Sequence, residues 1–61
     1  MKVREIIRRI EDDGWYRIKT KGGHRQYKHP VRRGRVTVPG KMSAELAPKT
    51  EKSIREQAGL D

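Results

Sequence analysis

Apolar residues near the start of the chain fall at Val3, Ile6, Ile7 and Ile10, the i, i+3, i+4, i+7 spacing that lines one side of a helix. Arg4, Glu5, Arg8, Arg9 and Glu11 fill the other sides. Gly14 stands where a left-handed residue closes a helix, so a helix is predicted from Val3 to Asp13. The pattern then changes. Trp15 to Lys21 (WYRIKTK) is rich in aromatic and β-branched residues, Gly22-Gly23 interrupts it, and His24 to His29 (HRQYKH) resumes it, which predicts a two-residue hairpin. Pro30 ends the second strand, Val31 to Gly34 turns, and Arg35 to Val38 (RVTV) is a third short strand stopped by Pro39-Gly40. Lys41 to Ala47 reads as a loop and Pro48 to Ala58 as a second helix, with Gly59 as its stop. The apolar face of this helix is thin: Ala47, Ile54 and Ala58, with Leu46 and Leu60 near its ends.

The predicted fold class is α+β, in the order α-β-β-β-α, with residues 1–61 forming a single domain. A three-stranded antiparallel meander of this size buries only one face, so both helices are expected on that face and the other is left open. A two-residue loop at Gly22-Gly23 pairs Lys21 with His24, Thr20 with Arg25, Lys19 with Gln26, Ile18 with Tyr27 and Arg17 with Lys28. This register sets the apolar pair Ile18 and Tyr27 opposite each other, and a slip of one residue would separate them. The open face then collects Arg17, Lys19, Lys21, His24, Gln26 and Lys28, with Trp15 at its far end. His29 falls on the other face beside Tyr16, which assigns it a structural role.

Composition narrows the function classes. Sixty-one residues leave room for only a small core, which argues against a large enclosed substrate pocket. With no cysteine, neither disulfides nor zinc–thiolate sites are available, and a reducing cytoplasm is the expected location. The opening MKVREIIRRIEDD alternates in charge and carries no continuous apolar run, so neither a signal peptide nor a membrane span is expected there. Sixteen Lys and Arg against eight Asp and Glu give a net charge of +8, which favours a polyanionic partner such as nucleic acid.

One histidine among cations on an open sheet face has a definite chemical use. RNA is cleaved without metal when one group takes a proton from the 2′-hydroxyl and cations steady the charge growing on the phosphate. Histidine, with a reference pKa of about 6.5, both accepts and donates protons near neutrality. The lysines and arginine would hold the backbone without reading sequence. No carboxylate cluster suggests a metal, and no cofactor is expected. The same residues also suit a surface that binds without cutting.

The segments DGWYRIKTKGGHRQYKHP, GRVTVPG and SIREQAGL together resemble the HicA toxins of bacterial toxin-antitoxin pairs, across nearly the whole chain. The resemblance implies a double-stranded-RNA-binding-domain-like fold and a metal-independent mRNA interferase, monomeric when free and neutralised by a HicB-like antitoxin. The family's Gly-Ser-His segment with an aromatic three places later corresponds to Gly22, Gly23, His24 and Tyr27. This makes His24 the implied catalytic residue and Gly22 and Gly23 the turn that positions it. Arg17, Lys19, Lys21, Gln26 and Lys28 are the expected RNA contacts. Three departures stand out: Gly23 in place of the usual serine, Lys41 where many members carry a second histidine, and Glu51 and Arg55 at last-helix positions that are commonly leucine. A non-catalytic RNA-binding module, a surface for an acidic protein, and a degenerate toxin that retains only antitoxin binding are the alternatives.

Overall fold

The computed structural model describes residues 1–60. Its elements follow the order helix α1 (Val3–Asp12), strands β1 (Tyr16–Lys21), β2 (His24–Lys28) and β3 (Val36–Val38), and helix α2 (Pro48–Ala58). The strands form one antiparallel sheet in the order β1-β2-β3. Among the described residues no helix is long and apolar enough to cross a membrane.

Helix α1 buries the predicted stripe Val3, Ile6, Ile7 and Ile10. Its start is held by the chain that leads into α2. The Val3 and Arg4 N–H groups donate to the Ala44 and Met42 carbonyls at 2.9 and 3.0 Å, and Glu5 Oε1 accepts from the Lys2 N–H at 2.7 Å. The free donors at the helix start are thereby satisfied by two tertiary contacts and by the Glu5 carboxylate, with no bond from an N-cap side chain. Its end closes as the sequence predicts. The Gly14 N–H donates to Glu11 O and the Trp15 N–H to Ile10 O, each at 3.0 Å, with Gly14 at φ +109°. This double bond pattern with glycine at its centre brings Trp15 back over Ile10, and both are buried in one core.

The hairpin turn is also as predicted. Gly22 and Gly23 have φ of +56° and +83°, the pair of left-handed residues that a two-residue loop of matching twist requires. Near the turn the register is the expected one: Lys21 opposite His24, Thr20 opposite Arg25, Lys19 opposite Gln26. Farther out it is not. A bulge at Ile18 shifts the pairing, so Arg17 stands opposite Tyr27 and Tyr16 opposite Lys28. Ile18 has no partner and is 41% exposed. The expected Ile18–Tyr27 and Arg17–Lys28 pairs are therefore absent, and the phase of β1 reverses at the bulge.

The reversal corrects the placement of Trp15. Instead of ending the open face it is buried, 2% exposed, in the core with Ile6, Ile10, Tyr27, Val36, Val38, Leu46 and Ile54. His29 does have a structural role, but beside Trp15 rather than Tyr16; the two rings meet edge to face with centroids 5.3 Å apart. His29 Nδ1 accepts the Val31 and Arg32 N–H groups at 3.0 and 3.1 Å, so Nε2 carries the proton and donates to Asp13 O at 2.7 Å. One imidazole thus ties the end of α1 to the turn after β2.

Helix α2 packs Ile54 and Ala58 into the core and runs along β3, where Gln57 Oε1 accepts the Thr37 N–H at 3.2 Å. The outer edge of the sheet is covered there by a side-chain bond. Ala47, expected on the apolar face, is exposed. Glu51 and Arg55, the departures from the commoner leucine, pair with each other one turn apart, Nε to Oε2 at 3.1 Å, with both side chains about a quarter exposed. The flank of α2 next to its buried residues is thus held by an ion pair.

These contacts separate two glycines that the sequence alone treats alike. A Cβ at Gly14 would lie 2.7 Å from His29 Nε2, whereas one at Gly22 would meet nothing within 4 Å. Gly22→Ala should cost about 1 kcal/mol from its left-handed backbone alone. Gly14→Ala should cost at least about 2 kcal/mol, because His29 must also move. In thermal melts the second variant is expected to fall roughly 10 °C and by clearly more than the first; equal losses would show that the imidazole tie contributes nothing.

Candidate active site

His24 is the first residue of β2, directly after the turn, and its side chain is exposed. Alternation along β2 sends Arg25 and Tyr27 to the helix side and His24, Gln26 and Lys28 to the open side. Cross-strand pairing places Lys21 beside His24 and Lys19 beside Gln26 on that open face. Tyr16, opposite Lys28, joins them and is 49% exposed. The structure therefore brings together five of the six residues expected there.

Arg17 is the exception. Because of the bulge it pairs with Tyr27 and lines a pocket of about 420 Å³ on the opposite face with Ile7, Glu11, Arg25, Tyr27 and Met42. It therefore stands on the face away from His24. Arg25, in the same pocket, is fixed by a 2.7 Å bond from Nη1 to Gly40 O. Burial, reinforced by the charge of Glu11, raises the Tyr27 hydroxyl above its ordinary value of 10.0, while Arg25 and Arg17 pull the other way. Tyr27, the aromatic three places after His24, belongs to the core, and its ring holds β2 against α1 and β3.

Two contributions to the open face were not legible in the sequence. Arg35, just before β3, reaches back so that Nη1 donates to Gln26 Oε1 at 3.1 Å. Helix α2 supplies the second. His24 borders a groove of about 370 Å³ whose sheet side is Thr37 and Pro39 and whose helix side is Lys49, Thr50, Ser53 and Gln57. The signal for these residues was present as the i, i+4 and i+8 spacing of Lys49, Ser53 and Gln57, yet it placed them on a helix without saying what that helix lies beside.

His29 is excluded from similar chemistry, since both of its ring nitrogens are engaged by backbone. Among the described residues no group of three His, Cys, Asp or Glu side chains converges as a metal site. What stands on the open face is one accessible imidazole with Lys21 opposite it, Lys19, Arg35 and Lys28 farther along the same face, and a groove beside it. This is a layout for proton transfer next to a held anion. The family model described as HicA toxin of bacterial toxin-antitoxin matches residues 3–60. A comparison with curated proteins returns no match.

The raised Tyr27 hydroxyl links to stability. A group whose folded-state value exceeds its unfolded one stabilises fully below the unfolded value, near 10.0, and loses that contribution as pH rises toward the folded value. Above about pH 10 the melting temperature of the wild type should therefore decline more steeply than that of Tyr27→Phe. Parallel alkaline slopes would remove Tyr27 from the account.

Proposed function

The chain belongs to the HicA family of bacterial toxins, and on that premise we propose that it is a metal-independent mRNA interferase in which His24 carries both proton transfers. The observation that carries this reading is the isolation of His24. It is exposed, seated directly after a two-glycine turn, and faced across the hairpin by Lys21. His24 takes the proton of a ribose 2′-hydroxyl, and the 2′-oxygen attacks the neighbouring phosphorus. The new bond to the 2′-oxygen forms as the bond to the 5′-oxygen breaks, leaving a 2′,3′-cyclic phosphate. The imidazolium returns its proton to the departing 5′-oxygen. One histidine thus suffices, in keeping with Lys41 at the place of a second. Lys19, Lys21 and Lys28 hold the phosphates and steady the charge that builds on the reacting one.

Gly23 in place of serine keeps the turn before His24 easy to form, because φ of +83° at that position suits glycine. The changes at Gly23 and Lys41 also suit a module that binds RNA without cutting it, and a cleavage assay separates the two. The partner that silences the toxin is expected to be an acidic, HicB-like antitoxin laid over His24 and its lysines, where opposite charge guides docking and occlusion blocks the RNA.

His24→Ala should lower cleavage of a single-stranded RNA at least about 100-fold while leaving the melting temperature unchanged, because the side chain lies outside the core. Cleavage should persist in EDTA and vanish on a 2′-deoxy substrate; a chelator-sensitive activity restored by Mg²⁺ would contradict the mechanism. Lys19→Ala, Lys21→Ala and Lys28→Ala should each flatten the salt dependence of RNA binding by roughly one unit of logarithmic slope. Arg17→Ala, on the other face, should change it less, and an equal change would place the RNA elsewhere.

A further inference from the structure

The groove between the sheet and α2 is not used by the proton transfers at His24. We propose that it is a nucleotide subsite that selects bases carrying a carbonyl at the pyrimidine 4-position or the purine 6-position. The proposal rests on the reading of His24 as an RNA-cleaving residue and adds to it the source of sequence preference.

Three observations support it. The first is position and size. His24 forms one end of the groove, so an RNA strand with a phosphate at His24 has its adjoining nucleotide at the groove mouth. The volume of about 370 Å³ suits one nucleotide and lies at the lower end of small-ligand sites. The second is the floor. Buried Ile54 and half-buried Pro39 give the groove an apolar base on which a flat ring can rest.

The third is the direction of the hydrogen bonds on the helix wall. The Thr37 N–H donates to Gln57 Oε1 at 3.2 Å, which fixes the amide and turns its NH₂ toward Ser53, where Nε2 donates to Oγ at 3.0 Å. With a lone pair of Ser53 taken by that donor, its hydroxyl proton is free to be given away. Lys49, one turn earlier on the same helix face, has only donors to offer. Lys49 and the Ser53 hydroxyl thus give the wall two donors. A carbonyl oxygen has two lone pairs and accepts from both groups, whereas the amino group of cytosine or adenine at the equivalent position meets the Lys49 ammonium donor to donor and has only the remaining lone pair of Ser53 to bond. Uracil and guanine are favoured at this wall over cytosine and adenine.

The test is a titration of the ¹⁵N-labelled full chain with tetra-uridylate and tetra-cytidylate carrying 2′-O-methyl riboses, which cannot be cleaved. Saturable shifts are expected at Thr37, Thr50, Ser53 and Gln57, with the uridylate bound roughly tenfold more tightly, about the value of one neutral hydrogen bond and the avoided clash. Ser53→Ala should bring the two affinities close together, and Ser53→Thr, which keeps the hydroxyl, should restore the gap. Equal affinities in the wild type, shifts confined to Lys19, Lys21 and Lys28, or the same α2 shifts produced by inorganic phosphate alone would each overturn the subsite. The cleavage reading is judged separately on unmodified RNA. Cleavage without α2 shifts overturns the subsite and leaves the nuclease standing, while a uridylate preference without cleavage does the reverse.

Discussion

Burial of Trp15 is the constraint on which the rest of the structure depends. A continuous hairpin would put the indole on the open face and Ile18 in the core. The observed bulge reverses both, leaving Trp15 2% and Ile18 41% exposed. The magnitudes favour this outcome. Burying an indole removes on the order of 200 Å² of surface and stabilises by about 5 kcal/mol, against roughly 2–3 kcal/mol for an isoleucine side chain. The arrangement has a cost, since Trp15 Nε1 finds no partner among the described residues, a loss of about 1–3 kcal/mol. In a domain this small the indole still gains more than any single competitor. Gly14, Asp13 and His29 then form its surroundings, with the imidazole bonded to Asp13 and its ring set edge-on to the indole.

The same bulge sorts the cations. Beyond it Arg17 passes to the helix side, where it stands with Arg25 and Glu11 around the Tyr27 hydroxyl. Between the bulge and the turn the register is undisturbed, so Lys19 and Lys21 keep their places next to Gln26 and His24. A packing requirement at one end of the hairpin therefore decides which charges accompany the histidine at the other. Arg35 partly restores the loss, entering the open face from the start of β3 and bonding to Gln26.

Helix α2 joins fold and site with few apolar contacts. Only Ile54 and Ala58 are buried, and the Glu51–Arg55 pair occupies the flank where further apolar residues would have sat. Gln57 compensates in a specific way, because its bond to the Thr37 N–H aligns α2 with β3 and in doing so shapes the groove beside His24. Polar contacts of this kind fix position more than they add stability. The site gains a second wall from a helix that contributes little to the core.

By itself the sequence determined whatever depends on local pattern. The stripe of α1, the glycine stop at Gly14, the two-glycine turn before His24, the short third strand and the bounds of α2 all follow from residues a few positions apart. The GGHxxY segment within a matching chain was also enough to point to the toxin family. Tertiary structure decided what depends on competition between distant groups. Alternation along β1 is a period-two pattern that fits either face, so the sequence alone could not weigh Trp15 against Ile18; that choice required the volume enclosed by α1, β2 and β3. Nor could it place Lys49, Thr50, Ser53 and Gln57 beside His24, because a helix reveals its faces but not its neighbours, and the neighbour here was fixed by one backbone N–H on the edge of β3.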